Sequence, residues 1–154
     1  MAQRSRTRID PKTFLKDDRE AIERMLPPAL APIASAVLAS RAMLDLPDDW
    51  DGEGSPGYRE GTWLRAVEFA VGNALGFWEE YGVAVPAPKL RKGPVGSVDL
   101  HWRGTDRELL VNIPSEETAA ADYYGDDLAG GHVAKGTLDP TEDNFWLLMW
   151  LTKM

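Results

Sequence analysis

The chain contains no cysteine, which excludes disulfides, thiolate zinc sites, iron–sulfur clusters and thiol catalysis. Histidine occurs only at His101 and His132, so a zinc centre would have to lean on carboxylates. No apolar run approaches the roughly 20 residues that cross a bilayer. The opening stretch MAQRSRTRIDPK has no apolar centre of the kind that marks a secretion signal. These absences set the expectation of a cytoplasmic protein that makes no membrane contact. A serine elbow and a phosphate-cradling glycine loop are also missing, and GEGSPG lacks the preceding strand of a dinucleotide site. No cofactor is expected.

What is present is ordinary globular material. Apolar residues make up 44% of the 154 positions and charged residues 27%, enough for one domain with its own core. The net charge is −8, unevenly spread: Arg4, Arg6, Arg8 and Lys12 against Asp10 sum to +3 in residues 1–12, which leaves −11 for the remainder. The expected organisation is a flexible basic arm over 1–12 and a single domain over 13–154. So acidic a body repels phosphate, and nucleic acid could be met only through the arm.

Asp10-Pro11 reads as cap and first-turn proline of a helix running to about Leu26. Pro27-Pro28 breaks it, and a second helix runs to about Leu44 with Leu30, Ile33, Val37 and Leu38 inward. The longest helix starts at Pro56 or Arg59, with Ser55-Pro56 as cap and first residue. It presents Trp63, Val67, Ala70, Ala74 and Phe77 at helical spacing and stops at Gly82. Gly72 and Gly76 within it suggest a close backbone neighbour. SVDLHWR and RELLVNIP then alternate as a hairpin, AADYYGDD and HVAKGTL form a second, and Asp139-Pro140-Thr141-Glu142 caps a closing helix. The fold class is therefore α+β: N-terminal helices, an antiparallel meander of four to five strands, and a C-terminal helix. One sheet face would be covered, and the other would show Asp99, His101, Arg103 and Asn112.

The stretch WDGEGSPGY raises the sharpest chemical question. Counted from Asp49, carboxylates fall at the first, third, fifth and twelfth positions (Asp49, Asp51, Glu53, Glu60) around Gly54, the spacing of a calcium loop. Glu in the fifth place, Pro56 in the eighth and Pro47 ahead depart from that pattern. The competing reading makes Trp50, Asp51, Gly52 and Gly54 a structural corner, in which Trp50 plugs the core, Asp51 holds backbone N–H groups and the glycines turn left-handed. YGDD, at Tyr124 to Asp127, spells a polymerase metal motif, but the chain is too short and too acidic for a polymerase. Asp99 and His101 share a strand face and offer an acid–base pair.

Trp50-Asp51-Gly52-x-Gly54, a helix, the extended segment holding Pro88, and Gly96-Ser97-Val98-Asp99-Leu100-His101-Trp102 with its apolar return strand together resemble a group of small uncharacterised bacterial and phage proteins. The resemblance spans about residues 46 to 138. It implies a bacterial or phage setting and a shared fold, and carries no activity or catalytic residue.

The leading expectation is a non-catalytic binding or regulatory domain that docks a basic protein partner, as antitoxins and immunity proteins do, with Asp48, Asp49, Asp126 and Asp127 near the contact. The alternative is a divalent-metal site or small hydrolase joining Asp51 and Glu53 to Asp99 and His101. Self-association through Phe145, Trp146 and Trp150 is a third expectation, since FWLLMWL is apolar on every side.

Overall fold

Polar and proline-containing breaks divide this chain into its elements, the longest being the loop over 46–59. A computed structural model describes residues 9–154, and Arg4, Arg6 and Arg8 of the expected arm lie outside the described residues. Ile9 already packs against the core, and Asp10 Oδ1 accepts the Lys12 N–H at 3.0 Å.

The expected first helix is in fact two. α1 (Lys12–Leu15) and α2 (Arg19–Met25) are separated at Asp17, whose φ is 53°. Asp18 then caps α2 by accepting the Ala21 N–H at 3.2 Å. Aspartate competes for backbone N–H groups and tolerates the left-handed region, so adjacent aspartates end one helix and begin the next. After a 3-10 turn at Pro28–Leu30, α3 (Ala31–Ala39) buries Ile33 and Val37, and a second such turn, Ser40–Asp45, follows. Leu38 is only half-buried.

α4 (Glu60–Tyr81) is the spine, burying Trp63, Val67, Ala70, Ala74 and Phe77. Trp63 Nε1 donates to Ser40 Oγ at 2.8 Å, so its one polar atom is satisfied inside the core. Gly82, at φ 67°, closes the helix by donating its N–H to Trp78 O. The helix begins at Glu60 and not at Ser55-Pro56, because Ser55 is held by Asp51 in the preceding loop.

The sheet is a meander in the order β1 (Lys89–Lys92), β2 (Val98–Arg103), β3 (Arg107–Ile113), β4 (Ala121–Asp127) and β5 (His132–Leu138), every pair antiparallel. With helices before and after it, the fold is α+β. Val98, Leu100, Trp102, Leu109, Val111 and Ile113 are buried on one face, which α4 covers along β2 and β3.

α5 (Phe145–Thr152) starts later than its expected cap. Asp139 Oδ1 takes the Thr141 N–H at 2.9 Å and the Thr141 hydroxyl at 2.6 Å, closing a separate turn. The Asn144 N–H instead donates to the buried Asn73 Oδ1 at 2.8 Å, tying the helix start to α4. Leu147, Leu148 and Leu151 are buried, and the Phe145 ring fills the space at Gly76, where a Cβ would lie 2.8 Å from it. The glycine thus admits a ring, not the backbone expected from its spacing. No single helix among the described residues is long and apolar enough to cross a membrane.

Candidate functional site: the open face of the sheet

The WDGEGSPGY loop is a corner closed on itself. Asp48 Oδ1 accepts the Gly57 N–H at 2.9 Å, and Asp49 Oδ1 accepts the Gly54 N–H at 2.7 Å. Asp51 Oδ1 accepts the N–H groups of Glu53 and Ser55, while its Oδ2 takes the Ser55 hydroxyl. Those bonds, the Ser55 hydroxyl first, hold the Asp51 carboxyl below the usual carboxylate range. Asp49, Gly52 and Gly54 all have positive φ, so the backbone curls around these carboxylates. Trp50 is half-buried rather than fully plugged in. Its Nε1 donates to Pro56 O at 3.2 Å, its ring meets Tyr58, and Lys92 Nζ lies 4.5 Å above it. Tyr58, buried, donates its hydroxyl to Gly93 O at 2.9 Å, and burial raises its pKa, with the charges of Asp99 and Asp51 adding to the effect. The loop therefore braces the turn between β1 and β2. Glu60 stands apart as the first residue of α4.

Among the described residues, no helix packs on the second face of the sheet. Residues opposite one another on neighbouring strands share a face, so the register writes this surface as rows. One row runs Arg91, Asp99, Asn112, Asp122, Thr137, and the next runs Lys89, His101, Leu110, Tyr124, Lys135. A third row places Arg103, Glu108, Asp126 and Val133 side by side. At the centre is a cleft of about 370 Å³ lined by Asp99, His101, Glu108 and Asp126, with Leu110 and Tyr124 as its apolar surface and Arg91 at one side. Tyr124 is 46% exposed and Val133 51%.

His101 Nε2 and Glu108 Oε1 share a hydrogen bond of 2.5 Å, so the partner of His101 is Glu108 and not Asp99. Asp99 Oδ1 accepts from Asn112 Nδ2 at 2.8 Å, and that amide also donates to Ser97 Oγ. The expectation that Asp99, His101 and Asn112 share one face is met. Glu108, Tyr124 and Asp126 belong to the same cleft. Their signal was the hairpin register: GTD as a short turn sets Arg103 against Glu108 and so brings Glu108 beside His101.

The other expected site residues fall in separate places. Asp51 lines a recess with Trp50, Tyr58 and Lys92, distinct from the His101 cleft. No group of three or more histidine, aspartate or glutamate side chains among the described residues is placed to hold an ion, and this includes Asp49, Asp51, Glu53 and Glu60. Asp126 lines the cleft. Asp127 instead accepts the Gly130 N–H at 3.0 Å and pairs with Arg107 at 3.4 Å, the Gly130 bond first and Arg107 next lowering its pKa. Asp48 and Asp49 sit by the β1–β2 turn, whereas Asp126 and Asp127 sit at the β2–β3 turn end of the sheet. The four do not form one patch.

Of the closing aromatics, Phe145 meets the rings of Phe77 and Tyr81, and Trp150 lies over Gly125 with the Arg107 guanidinium 4.8 Å from its ring. Trp146 alone is exposed, at 49%, resting edge-on against Tyr123. Comparison with protein-family models, with curated proteins and with solved structures finds no match to this chain.

Proposed function

We propose that this chain is a non-catalytic binding domain that docks a basic protein partner on the open face of its sheet. The observation that supports this reading is the central cleft: three carboxylates, Asp99, Glu108 and Asp126, ring an apolar floor of Leu110 and Tyr124. A lysine or arginine side chain suits such a place, since its stem packs on Leu110 and its charge meets both the carboxylates and the Tyr124 ring. Arg91 lines one side of the cleft and Lys89, Arg103 and Lys135 share the face around it, so the carboxylates gather at the centre and a partner is oriented as well as attracted. The concrete form is a small acidic protein of a bacterium or phage that neutralises a basic partner in the cytoplasm, as antitoxins and immunity proteins do. Asp48 and Asp49 each commit one oxygen to the loop, and Asp126 is the member of the expected set that lines the cleft.

Titration of isotope-labelled protein with an arginine-rich peptide, followed by NMR, tests the reading. The expected shifts gather on His101, Glu108, Leu110, Tyr124 and Asp126 and fade as salt is raised. Shifts spread evenly over the acidic surface would contradict it.

A further inference from the structure

The two edges of the sheet differ in kind. β1 is four residues long, carries Lys89, Arg91 and Lys92, and lies between Pro88 and Gly93-Pro94. Short length, charge and proline are the means by which proteins keep an edge from pairing. β5 is seven residues long with Lys135 as its one lysine, and every residue from His132 to Thr137 is exposed or half-exposed on either face. In a chain of net charge −8, the stretch from Leu128 to Leu138 contains no carboxylate.

Among the described residues β5 has a neighbour on one side only, and the direction of its outward groups can be read from the ladder. Leu128 donates its N–H to Asp106 O at 2.8 Å, and Gly131 donates to Asp127 O at 2.7 Å. Bonding alternates along antiparallel strands, so His132, Ala134 and Gly136 address β4. Val133, Lys135 and Thr137 then turn their N–H and C=O groups away from the sheet. The helical layer ends here too: Tyr123 lies over Gly136, and the half-exposed Trp146 rests on Tyr123.

We propose that β5 pairs antiparallel with β5 of a second copy across a two-fold axis at Ala134, joining the two sheets into one. An axis at Lys135 would set that lysine against its own copy. An axis at Gly136 would run Val133 beyond the strand to Asp139, a carboxylate already engaged with Thr141. At Ala134 the pairing sets Lys135 against Val133 and His132 against Gly136, with two methyl groups at the centre. The carboxylate-free edge lets copies meet where their repulsion is least, and salt, which screens the acidic bodies, should strengthen the pairing. Docking of a basic partner weakens with salt, so the two proposals fail separately.

Sedimentation of the full chain from about 1 μM to about 1 mM tests the pairing. The expected result is a monomer–dimer equilibrium that tightens with salt. Val133→Pro removes only an outward N–H and leaves the β4 ladder intact, so it should keep its circular dichroism and thermal unfolding while weakening the dimer at least about tenfold. Ala134→Cys, the single thiol of an otherwise cysteine-free chain, should form an interchain disulfide on mild oxidation, because directly opposed non-bonded positions bring Cβ atoms close enough. A monomer throughout the range, or cross-linking of Lys135→Cys to the yield of Ala134→Cys, would overturn the proposal.

Discussion

The same strands build both faces of the sheet, and the faces differ in almost every physical respect. On the helix side, Leu100, Leu109, Val111 and Ile113 are fully buried and have no polar side-chain atoms. On the other side, the neighbours of those residues are Asp99, His101, Glu108, Leu110 and Asn112, which stay in partial contact with solvent, and His101 bonds Glu108 and Asp99 bonds Asn112 across strands. A residue's position one step along the strand decides whether it serves folding or is free to serve recognition. Burial on one face alone fixes the register, which lets the other face hold groups that add nothing to the core.

That division predicts unequal responses to substitution. The largest belongs to the covered face: Leu100→Ala should cost about 2 to 5 kcal/mol and lower Tm by roughly 5 to 15 °C in a thermal scan. Gly125→Val comes next. A Cβ there would lie 2.7 Å from the Trp150 ring, so the larger side chain should cost about 1 to 3 kcal/mol by displacing α5. The Asp51→Asn variant separates the loop from both faces. The Asp51 carboxyl is held below its ordinary range, so its stabilisation is present at neutral pH and is lost as pH falls through the lowered value. The variant's Tm deficit should therefore be seen near pH 7 and close below about pH 4. Calcium, magnesium, manganese or zinc should leave the wild-type Tm unchanged, because Asp49 and Asp51 already bind the N–H groups of their own loop. The smallest effect belongs to the open face, where Tyr124→Ala should change stability by no more than about 0.5 kcal/mol.

Much of this arrangement was legible in the sequence. Strict alternation in SVDLHWR and RELLVNIP announces both the hairpin and the split between its faces, and Gly82 marks the end of α4. Three of the misplaced helix boundaries share one cause, the local chemistry of aspartate. Asp17-Asp18 divides the first helix, Asp51 draws Ser55 away from a capping role, and Asp139 closes a turn on Thr141 ahead of α5. Spacing alone does not decide which nearby groups an aspartate side chain takes. The cleft was half legible. Asp99, His101 and Asn112 lie two residues apart or directly opposite, but Glu108, Tyr124 and Asp126 join them only through the register of three strands.

The most direct measurement compares Asp126→Lys with wild type in two readouts, thermal unfolding and calorimetric titration with an arginine-rich peptide at low salt. If the open face recognises and the covered face folds, Tm stays within about 2 °C while binding falls at least about tenfold. Unchanged binding, or a loss of binding matched by a loss of the fold, would contradict that separation.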